Sequence, residues 1–247
     1  PLPRFFVHYP YTGLNDIGKN KTPVSYDSIV VENEYLRIRV IPSLGARLYD
    51  LYDKVNGAHV FHYNEMIRPA MIALRGAWIS TGMEFNSLDR PHHTVDNFTP
   101  VDYRVERGGD GSVTVYIGNL SLLTNIYWIV GLTLRPGRQF LETHVKIYND
   151  DFIYNKYYFW TNTAESVTDG SRIFIPGKHT QSGAFPISDG VDVSWYKNCM
   201  YAVDAFIIDC EEDFFGHYDY NTERGLVQHA NHFVVPGKKR FTWGTSE

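Results

Sequence analysis

The sequence predicts an all-β fold built from antiparallel strands, and three observations carry that expectation. Apolar residues recur with period two, turn residues punctuate the chain at short intervals, and no segment shows three turns of helical periodicity. In the first of the alternating runs, Leu36, Ile38 and Val40 are separated by Arg37 and Arg39, so the apolar set shares one face of a strand. Val113, Val115 and Ile117 alternate with Thr114 and Tyr116 in the same way. Leu141, Thr143, Val145 and Ile147 alternate with Glu142, His144 and Lys146.

Between such runs stand Gly108-Gly109-Asp110-Gly111, Arg135-Pro136-Gly137, Asn149-Asp150, Asp169-Gly170, Asp189-Gly190 and Pro236-Gly237. Glycine supplies positive φ in turns, and proline presets φ at the corner. Regularly spaced short strands of this kind indicate a sandwich or barrel. The 247 residues, 43% of them hydrophobic, suit one sizeable β domain. Aromatics reach 15%, with 18 Tyr, 15 Phe and 5 Trp; such side chains fit both pleated sheets and sugar-stacking surfaces.

Residues 1–27 are rich in Pro, Gly, Asn and Tyr without alternation, and are expected to form an irregular arm. Residues 28–247 are read as the β-sandwich domain, incomplete at its C-terminal end because Glu247 follows a strand-like Arg240–Trp243 so closely.

A net charge of −5 and the absence of a Lys/Arg-rich run argue against a nucleic-acid partner. No apolar run approaches 18 residues, so no membrane span is expected. Cys199 and Cys210 are compatible with a hairpin disulfide or with two buried thiols. Three Asn-x-Ser/Thr sequons, at Asn20, Asn97 and Asn119, carry weight only in a glycosylating host.

The segment 69–100 breaks the strand pattern. It reads Leu74-Arg75-Gly76-Ala77-Trp78-Ile79-Ser80-Thr81-Gly82-Met83-Glu84-Phe85-Asn86, then Arg90-Pro91-His92-His93-Thr94. Long loops on a rigid β scaffold are where binding residues gather.

Together with Ile41-Pro42-Ser43-Leu44-Gly45-Ala46-Arg47-Leu48, Leu134-Arg135-Pro136-Gly137-Arg138, Tyr157-Tyr158-Phe159-Trp160-Thr161-Asn162 and Val235-Pro236-Gly237, these motifs resemble galactose mutarotase-like domains. Within that superfamily the chain is most similar to an uncharacterised bacterial family often found ahead of tetratricopeptide repeats. The resemblance spans residues 28 to 244. It implies a large antiparallel β supersandwich with a carbohydrate cleft on a concave face, a mono- or oligosaccharide ligand, no cofactor and further domains in the same chain. An extracellular or periplasmic setting is favoured over a cytoplasmic one.

Mutarotation needs a carboxylate to take the anomeric proton and an imidazolium to protonate the ring oxygen. In true mutarotases the acid is a His just upstream of a Tyr-Phe pair. Here that stretch reads Asn155-Lys156-Tyr157-Tyr158-Phe159, without a His.

Glu84 is the leading acid or base, expected to have its pKa raised by burial, or else to be a structural carboxylate on Arg75. His179 and His92 are its candidate partners. Arg75, Asn86, His93, Lys156 and Asn162 have the chemistry to bind sugar hydroxyls, and Trp78 and Trp160 offer flat faces for a pyranose. Arg47 is read as fixing its turn. His229 and His232, in one strand-like run at odd spacing, are expected on opposite faces. Glu84 with His92 and His93 lacks a further ligand for a metal set, so no metal is expected.

The expected function is a carbohydrate-active enzyme, epimerase-like or glycoside hydrolase-like. The hydrolase form requires a second carboxylate about 5–5.5 Å or about 6.5–9.5 Å from Glu84, with Asp89 or Asp96 as candidates. The alternative is a non-catalytic sugar-binding or assembly domain of a larger protein.

Overall fold

Alternation along the chain becomes strands wherever both a buried and an exposed face can be satisfied, and the computed structural model describes them for residues 9–88, 93–181 and 183–245. The chain adopts the expected all-β antiparallel class. Its helical content among the described residues is limited to single 3₁₀ turns such as Pro42–Leu44 and Tyr196–Asn198. The chain divides into two compact units, Pro1–Glu165 and Ser166–Glu247.

In the first unit, β1 (Ile29–Glu32), β2 (Leu36–Ile41), β3 (Arg47–Asp53), β4 (Ala58–His59), β5 (Ala70–Ala73), β6 (Gly76–Trp78) and β7 (Met83–Leu88) come first. They are followed by β8 (Asp102–Arg107), β9 (Val113–Ser121), β10 (Ile126–Leu134), β11 (Glu142–Asn149) and β12 (Tyr158–Thr163). One sheet runs β1-β2-β3-β7-β12 with β4 added beside β3; another runs β11-β10-β9-β8; β5 and β6 form a hairpin.

The period-two pattern sorts the two faces of the six-stranded sheet. Ile38 lies opposite Leu51, Val40 opposite Leu48, and Leu48 opposite Met83. Phe85 joins this face, and Ile38, Val40, Leu48 and Phe85 are essentially inaccessible. From the other sheet Val115, Ile117, Trp128, Val130 and Leu132 are equally buried. Burying each such side chain stabilises the unit by about 1.5–3 kcal/mol.

The opposite face of the six-stranded sheet is polar. A register shift in the β2–β3 pairing, between Arg39 and Val40, leaves Arg47, Asp50 and Tyr52 all on this side, opposite Ile41, Arg39 and Arg37. Glu84 and Asn86 of β7 share it with Asn162 and Trp160 of β12, which pair with them directly. Part of this face is covered by Ile41, Leu44, Tyr49 and Ile79, against which Tyr63, Ile67 and Phe98 pack.

The start of β7 depends on Gly82. Its φ is +59°, and a Cβ there would lie 2.1 Å from the Leu48 carbonyl oxygen. Gly82→Ala is therefore expected to destabilise the protein by at least about 2 kcal/mol, from left-handed strain plus a backbone clash, as measured by the denaturation midpoint.

The N-terminal arm, over its described residues, docks on the β5–β6 hairpin. Leu14 N–H donates to Arg75 O and Ala77 N–H donates to Leu14 O. Tyr11 lies under the Arg75 guanidinium, and its hydroxyl accepts from Leu122 N–H.

The second unit contains β13 (Ser171–Phe174), β14 (His179–Thr180), β15 (Gly183–Ala184), β16 (Ile187–Ser188), β17 (Val191–Asp192), β18 (Val203–Ile207), β19 (Phe214–Asp219), β20 (Arg224–His229) and β21 (Lys238–Thr242). They pair as β13-β19-β20, β15-β14-β18-β21 and β16-β17, around Ile175, Phe185, Ile207 and Cys210. Cys199 and Cys210 are both free thiols and both buried. No helix among the described residues is long and apolar enough to cross a membrane.

Candidate functional site

A strand that begins at Arg47 inside an apolar run has to bury a guanidinium, and a buried cation requires a partner. Arg47 is 2% exposed, and its Nη2 donates to Glu84 Oε2 at 2.8 Å while Nη1 donates to Thr81 O at 2.8 Å. Glu84, also 2% exposed, is therefore not the raised-pKa carboxylate expected from its apolar neighbours. Burial alone would raise it. The Arg47 charge, then the hydrogen bonds and charge of His93 and the Asn162 amide, outweigh burial and bring it down to about 2. The partner is Arg47 and not Arg75, so Arg47 does more than fix its turn.

Four groups converge on this carboxylate. Trp78 Nε1 donates to Oε2 at 2.8 Å, and Asn162 Nδ2 donates to Oε1 at 3.1 Å. His93 Nδ1 lies 2.5 Å from Oε1. An ionised carboxylate only accepts, so Nδ1 carries the hydrogen. The His93 ring stands between two indoles, 5.0 Å from Trp78 and 5.4 Å from Trp160. Its side chain keeps 19% of its surface exposed, against 3% for Glu84.

Other sequence-selected residues take different places. Asn86 is wholly buried; its Oδ1 accepts from Thr94 N–H at 2.7 Å and so holds the loop that carries His93. Arg75 donates to Thr12 O, Val95 O and Thr99 Oγ1, bonds that tie the arm and the loop to the hairpin. Trp78 is 7% exposed and Trp160 is partly buried, while Lys156 is exposed on the β11–β12 connection. His92 and Asp89 lie outside the described residues. Asp96 accepts from Asn119, Trp128 and Thr94, and burial raises its pKa.

His179 belongs to the second unit, at the start of β14. Its side chain is 67% exposed, and its Nδ1 lies 2.7 Å from Asp209 Oδ2. The backbone N–H of His179, followed by its ring, holds the Asp209 carboxyl at about 2. His229 and His232, expected on opposite faces, both approach Asp213, at 3.9 and 2.8 Å. The difference arises because β20 ends at His229 and the turn after it swings His232 back. Among the described residues no three His, Cys, Asp or Glu side chains gather as a metal set.

Sequence reasoning passed over Glu165. It follows Ala164, whose N–H donates to Gly82 O and whose carbonyl accepts from His62 N–H. Burial pushes the Glu165 carboxyl up to about 8, from an ordinary 4.5. The folded chain keeps this proton while the unfolded chain releases it, so this group lowers stability progressively as pH rises from about 4.5 to about 8. Glu165→Gln is expected to raise the unfolding midpoint at pH 7 and leave it unchanged at pH 4. The gain is on the order of 2 kcal/mol, less than the full shift implies because part of the side chain meets solvent.

Comparison with known proteins bears on family and fold. A TPR-domain containing protein from Parabacteroides distasonis ATCC 8503 aligns with TM-score 0.85 and 22% identity over 97% of this chain, which spans 42% of that protein. The Slr1438 protein from Synechocystis sp. PCC 6803 aligns with TM-score 0.57 and 9% identity, over 93% of this chain and 95% of that one. A galactose mutarotase-like protein from Lactobacillus casei ATCC 334 aligns with TM-score 0.45 and 13% identity, over 87% of each chain. For the first two of these, at such identities, the likeness is one of fold. The match to a TPR-domain containing protein is in keeping with the family expected from the motifs, one found ahead of such repeats. The family model described as Domain of unknown function (DUF5107) matches residues 4–247, nearly the whole sequence, and the chain belongs to that family.

Proposed function

We propose that the first unit is a carbohydrate-active domain in which His93 is the proton-transferring group and Glu84 positions it. The observation that carries this reading is the Glu84–His93 pair at 2.5 Å, with the imidazole between Trp78 and Trp160. A buried carboxylate that fixes one ring nitrogen directs proton exchange to the other, and imidazole is the usual acid–base side chain of neutral chemistry. Indole faces beside it suit the C–H side of a pyranose. Glu84 is a positioning residue in this scheme. Supporting the sugar class is the resemblance of the sequence motifs to galactose mutarotase-like domains.

A second reading, a non-catalytic sugar-binding or assembly domain, is favoured by the low pKa of Glu84, which withdraws this carboxylate from proton exchange near neutrality. One experiment separates the two. Freshly dissolved aldoses and aryl glycosides are followed by proton NMR with the wild-type protein and with His93→Gln. Accelerated anomer exchange or glycoside cleavage that disappears in the variant supports the enzyme. Line broadening of one sugar by both proteins, without turnover, supports the binding domain and sinks the catalytic role of His93.

A further inference from the structure

The polar face of the six-stranded sheet continues beyond Arg47. Arg37 and Arg39 stand on it two residues apart on β2, with Asp50 opposite Arg39, and with Glu32 and Tyr52 on either side of Arg37. Their charges are only partly answered. The Asp50 carboxylate is buried and already engaged by His59 Nδ1 at 2.7 Å, with Arg37 Nη2 at 4.0 Å, beyond hydrogen-bond reach. Glu32 lies 3.7 Å from Lys54. The Nε atoms of Arg37 and Arg39 are buried with no hydrogen-bond partner among the described residues. Three cations thus face two carboxylates, each of which has a nearer partner than either arginine.

Rings surround these donors. Arg37 lies over Tyr52 at 4.6 Å, and Tyr52 meets His59 edge-on at 5.2 Å. His59 stacks on Tyr63 at 4.0 Å, and Tyr63 meets Tyr49 edge-on at 5.9 Å. The Arg37 and His59 side chains remain 33% and 38% exposed. Planar guanidinium donors recognise carboxylate and sulfate oxygens bidentately, and flanking aromatic faces take sugar rings. Asp50 and Arg47 face Arg39 and Ile41, two residues apart on β2 or about 7 Å, and Glu84 lies a further strand away, so a ligand reaching from here to His93 is longer than one ring.

We propose that Arg37 and Arg39 form a subsite for the anionic substituent of an acidic oligosaccharide, lying on the same sheet face as His93. The proposal rests on the sugar reading given above and narrows its substrate class. Isothermal titration at low salt with trigalacturonate, a sulfated galactotriose and neutral galactotriose tests it, on wild type, Arg39→Gln, Arg37→Gln and Arg39→Lys. At least one charged trisaccharide binds about tenfold or more tightly than the neutral one, and which of the two does so identifies the anionic group. Either Gln variant loses about tenfold on that ligand while galactotriose binding is unchanged, and Arg39→Lys recovers part of the loss. Equal binding of neutral and charged ligands overturns the subsite alone, as does wild-type affinity for the charged ligand in both Gln variants. No binding of any of the three by wild type overturns the sugar reading and the subsite with it.

Discussion

Glu84→Gln is expected to lower the stability of the protein by about 3–5 kcal/mol, the largest single-residue effect anticipated in the first unit. The substitution keeps the shape and removes the charge that answers a fully buried Arg47. Deleting one partner of a buried pair strands the other as an uncompensated ion, which costs far more than the pair itself contributes. The amide also brings N–H donors where Trp78, Asn162 and His93 already donate, so donor meets donor. The acid limb of the stability profile carries a second signature. With a folded pKa of about 2 against an ordinary 4.5, Glu84 contributes stability that is present above about pH 4.5 and lost as pH falls toward 2. Urea titrations at pH 7 and pH 3 check both statements: the variant is much weaker at pH 7, and the gap between variant and wild type narrows at pH 3. Equal midpoints at pH 7 would mean that Arg47 finds another counter-charge.

Under the proposed catalytic role, His93→Gln is expected to lower turnover steeply while leaving the fold in place. Loss of a general acid–base typically reduces rate about 10²–10⁴-fold. The imidazole is partly exposed, so its removal leaves a small gap at the surface instead of a cavity in the core, and circular dichroism and midpoint should stay close to wild type. The informative split is between kcat and KM. A proton carrier lowers kcat with KM nearly constant, whereas a group that merely binds hydroxyls raises KM. An unchanged rate in the folded variant would reassign His93 to binding.

Much of the fold was legible because alternation is a local property. Leu36, Ile38 and Val40 announce an inward face whatever lies elsewhere, and Val115 and Ile117 do the same. The run after Leu141 became a strand too, from Glu142 onward, yet Val145 and Ile147 of this edge strand stay only half-buried. Periodicity reports which residues share a face, not whether that face is covered.

The site was harder, for a physical reason. Glu84, Trp78 and His93 were visible as chemistry in one segment, and Asn162 in another, but what sets the protonation of Glu84 is Arg47, 37 residues upstream. The usable signal was the isolated arginine between Ala46 and Leu48 in an apolar stretch, which demands a buried anion. Glu165 shows the converse. Nothing about Ala164-Glu165-Ser166 marks a proton held to about pH 8; burial in the folded chain raises it there.

The Arg47–Glu84 bond also governs how the site comes apart. Its two ends arrive on β3 and β7, strands adjacent in the sheet but distant in the chain, so it closes only when the sheet itself assembles. Separating the two strands while either residue stays buried would strand an unpaired charge in the interior, so release of His93's support is tied to opening of this part of the sheet. The geometry around Glu84 is therefore inherited from the folded sheet. Heat, acid or a weakened core that separates β3 from β7 removes the support of His93 in the same step.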